Sequence, residues 1–232
     1  MKAVILFSAV LIAWLSVAQA GAGVEAVRAT GEVQGAQEPG CDGEAVLAEV
    51  ERRLLEAGIV SCEFRITSEG AFQAELSGLL EVRGRESVHL AAAGSFAGEG
   101  VEVALRVAGD EMTYGPGVIP AAAPRPAHLE KALLIGLTRM GILHNLARLT
   151  ASRPPDRGEG AVQEWVTAGL VRGCGSQADP LQFEVIVAGQ AAGSAWLELS
   201  EAGLPRLRRQ VVRFPSGEMA VTEQYLLCIA EP

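Results

Sequence analysis

The sequence predicts an α+β fold in which an antiparallel sheet with one apolar and one polar face is covered by helices. The first observation is alternation between Val60 and Val107. Val60, Cys62, Phe64 and Ile66 point one way and Ser61, Glu63, Arg65 and Thr67 the other. The same period of two returns in Phe72, Ala74, Leu76, Gly78, Leu80 and Val82, in Val88, Leu90 and Ala92, and in Val101, Val103, Leu105 and Val107. Side chains alternate across a strand, so each segment is a strand with one face to bury. The second observation is that Gly-containing breaks separate these segments, as in an antiparallel meander. The third is a segment from about His128 to Ser152 that is too apolar for the surface of an ordinary helix.

Composition narrows what such a sheet can do. Hydrophobic residues make up 49% of the 232 residues and aromatics only 5%, so the interior is built from Ala, Val and Leu. That material packs a core or lines a cavity, but it is a poor stacking platform for bases or sugars. The formal net charge is -9, and loss of the leader, whose only charged side chain is Lys2, makes it -10. Phosphate backbones are repelled by such a surface, so nucleic acid is not an expected partner.

Residues 1–20 carry Lys2, the apolar run Ala3 to Val17 and the small-x-small ending Ala18-Gln19-Ala20, which predicts a signal peptide cleaved after Ala20. A retained anchor is the alternative, but the apolar run is shorter than the ~20 residues a membrane span needs. Residues 21–40 lack an apolar pattern and predict a flexible segment. Val46, Leu47, Val50, Leu54 and Leu55 then fall at helical spacing, with Glu49, Glu51, Arg52 and Arg53 between them, Asp42 as N-cap and Gly58 as stop. This helix is expected to lie on the sheet.

After the first meander, Gly115-Pro116-Gly117, Pro120, Pro124 and Pro126 predict a stiff irregular connection. The long helix His128 to Ser152 follows, apolar along Leu133, Leu137, Met140, Leu143 and Ala147, with Leu134, Ile135, Ile142, Leu146 and Leu149 beside its polar side. Gly136 and Gly141 each cost such a helix about 1 kcal/mol relative to Ala, which suggests close packing or a bend. Pro154 and Pro155 end it. Strands resume at Glu164 to Val171, Phe183 to Val187, Ala195 to Leu199, Leu207 to Phe214 and Met219 to Leu227, about nine in all, with turns at Gly203-Leu204-Pro205 and Pro215-Ser216-Gly217.

Four cysteines, Cys41, Cys62, Cys174 and Cys228, in a chain that reads as exported predict two disulfides. Three pairings are open; Cys41 with Cys62 is the least comfortable, because the helix separates them. The alternative is that Cys62 and Cys228 are buried free thiols. Zinc is not expected, since no two cysteines lie two to four residues apart. His89, His128 and His144 have no partners at metal spacing, and His144-Asn145 reads as a helix-surface or capping pair. Asp110-Glu111 and Asp179 read as turn residues, and Gly94-x-x-x-Gly98-x-Gly100 as a hairpin turn rather than a phosphate loop, because no helix follows it. No set of nucleophile, base and oxyanion donors is present, so no enzyme and no cofactor are expected.

A signal peptide, a helix, amphipathic antiparallel strands, a helical insert and further strands carrying Gly203-Leu204-Pro205, Val212-Arg213-Phe214-Pro215-Ser216-Gly217 and Val221 to Tyr225 resemble the LolA/LppX-type periplasmic lipoprotein carriers. The resemblance implies that residues 41–232 form a single domain, an incomplete antiparallel β-barrel (half-barrel) with helices in its concave apolar face and the helical insert at about 118–152. It implies a periplasmic or secreted carrier that shelters the acyl chains of a lipid or lipoprotein, with envelope membrane proteins as further partners. Candidate cavity walls are then Phe64, Phe72, Leu76, Leu80, Val103 and Leu105, and candidate lid residues are Leu133, Leu137, Met140 and Leu143. The alternative expectation is a non-enzymatic structural or interaction module of the cell envelope, with the helix filling the barrel and no ligand.

Overall fold

The computed structural model describes residues 41–84, 86–115, 121–125, 129–144, 166–187, 190–214 and 217–232. The expected signal peptide and flexible segment, residues 1–20 and 21–40, lie outside the described residues. Helix α1 (Gly43–Glu56) precedes strands β1 (Ile59–Gly70), β2 (Ala74–Arg83), β3 (Ser87–Phe96), β4 (Glu99–Ala108), β5 (Glu111–Tyr114) and β6 (Ala121–Pro124). Helix α2 (Leu129–Thr138) follows, then β7 (Val166–Ala168), β8 (Leu181–Val187), β9 (Gln190–Leu199), β10 (Pro205–Phe214) and β11 (Gly217–Glu231).

All eleven strands form one antiparallel sheet in the order β6-β5-β4-β3-β2-β1-β11-β10-β9-β8-β7, so the sheet is open, with the short strands β6 and β7 at its edges. Two meanders, β1 to β6 and β7 to β11, are joined where β1 pairs with β11 from Ile59↔Glu231 to Gly70↔Met219. This is an incomplete barrel, with α1 and α2 packed on its apolar face.

The alternation read from the sequence sets which residues face the core. Val60, Cys62, Phe64 and Ile66 of β1 and Leu76, Leu80 and Val82 of β2 are buried, as are Val101, Val103, Leu105 and Val107 of β4. Gly78 of β2 is the register partner of Phe64, and a Cβ there would stand 2.7 Å from the Phe64 ring and 2.0 Å from the Ala91 carbonyl oxygen. A glycine inside a strand is thus required by close approach. The β3–β4 turn is made by Ala97 and Gly98, with φ 51° and 82°, the positive pair that a two-residue hairpin of matching twist needs.

Asp42 caps α1, its Oδ1 accepting from the Glu44 and Ala45 N–H groups at 3.1 and 3.2 Å. Leu47, Val50 and Leu54 are buried beneath the helix. Val50 and Leu54 join the large core under β1 to β4, whereas Leu47 joins a second core with Leu181, Phe183, Val185, Ala195 and Leu197. One helix therefore bridges the two halves of the sheet.

Two expectations are corrected. The segment expected to be an irregular connection contains the β5–β6 hairpin, paired Glu111↔Pro124 to Tyr114↔Ala121, so the sheet has eleven strands among the described residues rather than about nine. The Ala-Ala-Ala-Pro strand has no alternation to betray it, and Pro124 is tolerated because the strand lies at an edge. The single long helix is interrupted: α2 ends at Thr138, Gly141 takes φ 81°, and helical geometry returns at 142–144. The remainder of that expected helix lies outside the described residues. The bend suggested by Gly141 is present, and its cause is a carboxylate from the sheet.

Both disulfides form, joining Cys41 to Cys174 and Cys62 to Cys228. The free-thiol alternative for Cys62 and Cys228 is thereby overturned. Inward positions on β11 run Met219, Val221, Glu223, Tyr225, and simple alternation would turn Cys228 outward. The register slips instead between Phe64↔Tyr225 and Glu63↔Leu227, which turns Cys228 toward its register partner Cys62. The same bulge leaves Leu226 and Leu227 on the outside, 65% and 56% exposed.

Candidate functional site

The candidate site is the packed apolar layer between the inner face of the sheet and α2. Of the candidate walls, Phe64, Leu76, Leu80, Val103 and Leu105 are buried in the large core. Phe72 lies in the turn between β1 and β2, partly buried at the edge of that core, its ring stacked on Phe96 at 6.2 Å. From the helical side Leu133, Leu137 and Leu143 enter the same core, with Leu129 and Leu134 beside them. Met140 does not: it packs into the second core with Leu47 and Phe183. Nine of the ten candidates thus belong to or pack against one apolar core, and the turn after Thr138 carries the tenth into the other.

Polar side chains that alternation alone did not single out hold the end of α2. Glu51 occupies the apolar face of α1, four residues after Leu47 and three before Leu54, and is 6% exposed. Arg139 Nε and Nη2 donate to its two oxygens at 2.6 and 2.7 Å, and the Thr138 hydroxyl donates at 3.0 Å. This two-pronged pair ties α1 to the end of α2, with directional bonds as well as charge.

On the sheet side, Arg208 of β10 and Glu223 of β11 are register partners and both are buried. Arg208 Nε and Nη2 donate to the carbonyl oxygens of Thr138 and Arg139 at 3.2 and 2.6 Å. A cation thus satisfies acceptors that a helix C-terminus leaves open, where the helix dipole is negative. Glu223 does the converse for the next turn, accepting from the Ile142 and Leu143 N–H groups at 2.9 Å each. A Cβ on Gly141 would stand 2.5 Å from Glu223 Oε1, so the carboxylate needs both the glycine's φ and its missing side chain.

The Tyr225 hydroxyl donates toward Glu223 Oε2 at 2.8 Å and lies 3.1 Å from the Leu137 carbonyl oxygen. Burial, then the Glu223 charge, hold its phenol well above the usual tyrosine range. Burial also lowers the Arg208 guanidinium, against the opposing pull of Glu223. An acid whose native pKa is raised contributes stability that is complete below the unfolded pKa of about 10 and is lost as pH rises toward the native value. In a Tyr114→Phe background, which leaves one of the two tyrosines, the phenolate absorbance of Tyr225 should therefore appear only with unfolding. A reversible native titration near pH 10 would contradict the burial.

No family model matches the chain, and no curated protein matches it. Solved structures do. A LolA superfamily protein from Nitrosomonas europaea is 9% identical over 83% of this chain and 94% of that one, with a TM-score of 0.36. LprF from Mycobacterium bovis is 10% identical over 85% of this chain and 98% of that one, at a TM-score of 0.38. An outer membrane lipoprotein-sorting protein domain from Vibrio parahaemolyticus is 7% identical, covering 81% and 92%, at 0.35. The open sheet and the arrangement of Glu51, Arg139, Arg208 and Glu223 are read from this chain itself.

His144, expected in a helix-surface or capping role, is buried at 5% exposure and so is not on a surface, and Asn145 lies outside the described residues. Among the described residues no group of three or more His, Cys, Asp or Glu side chains is placed to hold a metal ion. No helix among them is long and apolar enough to cross a membrane. Of the ionic residues, only those on strands stood out as polar breaks in an inward apolar row. Arg208 and Gln210 share the inward row of β10 with Val212, and Glu223 lies between Val221 and Tyr225 in the inward row of β11.

Proposed function

We propose that this protein is an extracytoplasmic carrier for a lipid or a lipid-modified protein, with the acyl chains held between the concave sheet and α2. The observation that carries this reading is the division of labour in α2. Its middle meets the sheet through leucines, while ionic and hydrogen-bonded contacts lie at its ends, the Arg125–Glu130 pair at the first turn and the larger set from Leu137 onward. Leucine contacts are non-directional, so an acyl chain can replace them at similar cost, at about 25 cal/mol for each Å² kept from water. Net affinity is then the difference between cargo burial and helix burial. The two disulfides suit an oxidising compartment.

The test is native mass spectrometry of the chain purified from the envelope of its own cells, followed by titration with a fluorescent fatty acid. An acyl-lipid adduct, or saturable binding after delipidation, is the expected result. A chain that arrives empty and fails to bind the fatty acid overturns the carrier. It would favour the second reading, a structural or interaction module with a filled core, for which the near-complete burial of Leu105, Leu133 and Leu137 speaks.

A further inference from the structure

We propose that Arg208 and Gln210 form an internal binding site for the polar oxygen of an acyl cargo, a carboxylate or an ester or amide carbonyl. The inference rests on the carrier reading and adds to it a place for the head of the ligand. Arg208 is 0% exposed and Gln210 is 3% exposed, and both project from the inward face of β10 two residues apart, so their α-carbons are roughly 7 Å from each other. Arg208 uses Nε and Nη2 on the end of α2, but its Nη1 has no hydrogen-bond partner, and neither has Gln210 Nε2. Buried donors without acceptors are uncommon in native proteins and each costs about 1–3 kcal/mol. Two of them at consecutive inward positions of one strand, both donors, describe the complement of an oxygen.

The nearby acceptors are already engaged. Glu223 accepts from Ile142, Leu143 and Tyr225, and Glu51 accepts from Thr138 and Arg139. Two carboxylates balance two guanidiniums, so the site holds a surplus of donors without a surplus of charge. Its flanks are apolar: Gln210 stands between Ala195 and Val221 in register, and Arg208 beside Leu197, all three neighbours buried. An oxygen joined to a hydrocarbon chain meets both requirements, the oxygen facing the two donors and the chain running along the leucine-lined face. Because Arg208 also holds the Thr138 and Arg139 carbonyls, the head of the cargo would sit where α2 is fastened.

The test compares decanoic acid, methyl decanoate and decane, each displacing the same pyrene-labelled alkane from the full chain. The native protein should favour an oxygenated ligand over decane. Gln210→Leu, which leaves every helix-holding bond in place, should weaken that ligand about five- to tenfold and leave decane unchanged. Weakening of the acid alone assigns a carboxylate, and weakening of acid and ester together assigns a carbonyl. Gln210→Met repeats the comparison with a closer match of shape should the leucine variant not fold. If either folded variant binds all three ligands as the native protein does, the two donors serve water and the inference fails while the carrier stands. If the native protein binds none of the three, the carrier reading fails as well.

Discussion

Glu223→Ala should lower the stability of the folded chain by about 3–5 kcal/mol, the range for removing one partner of a buried ion pair. The loss has three sources. Arg208, fully buried, is left without the charge opposite it; the Ile142 and Leu143 N–H groups lose their acceptor; and the Tyr225 hydroxyl loses its shorter contact. Urea unfolding followed by circular dichroism measures the change. Glu223→Gln keeps an oxygen for one N–H but not the charge, so its cost should fall between native and alanine. A shift below about 1 kcal/mol for alanine would mean that the carboxylate does not organise the end of α2, because that is what a single ordinary hydrogen bond contributes. Acyl binding gives a second readout. A chain whose α2 is less firmly held has a smaller penalty for opening, so residual folded Glu223→Ala protein should load a fatty acid more readily.

The paired replacement Cys62→Ala with Cys228→Ala should cost about 2–5 kcal/mol, and should be felt across the whole sheet. The bridge spans 166 residues of sequence and lies on the β1–β11 pair, the seam between the two meanders. A cross-link closing so long a loop restricts the unfolded chain strongly in the entropic account. Loss of the Cys41–Cys174 bridge, which spans 133 residues, should act more locally. It fastens the start of α1 to the loop before β8, where a Cβ on Gly43 would stand 2.9 Å from the Val171 carbonyl oxygen. Amide hydrogen exchange separates the two cases: the first variant should lose protection along β1 and β11, the second chiefly at the first turn of α1 and around residues 171–175. Uniform loss in both would show that the bridges act only through the unfolded state.

Much of the sheet was legible because burial on one face imposes a period of two that no other structure shares. Phe64, Leu76, Leu80 and Leu105 were assigned to the inner face by that period alone, and Asp42 was legible as a cap because its carboxylate needs only the N–H groups of the next turn. What resisted reading were places where two periodicities meet. Glu51 looked like one more charge on a charged helix, yet it lies in line with Leu47 and Leu54. Gly141 hinted at a bend, but the full interruption after Thr138 could not be read from a run of leucines, because the carboxylate packed on it, Glu223, is 82 residues beyond Gly141 in sequence. Cys228 faces Cys62 only because the strand bulges at Leu226, and alternation carries no sign of an extra residue.

By itself the sequence determined the class of fold, the inward face of β1 to β4, the position of α1 and the need for an apolar cover, since each follows from the local spacing of apolar side chains. Tertiary structure decided the disulfide pairing, the break in the covering helix and the charged fastening beneath it. Those depend on which distant residues a register brings into contact, and the energy of a buried charge is set by the partner it finds rather than by its neighbours in the chain.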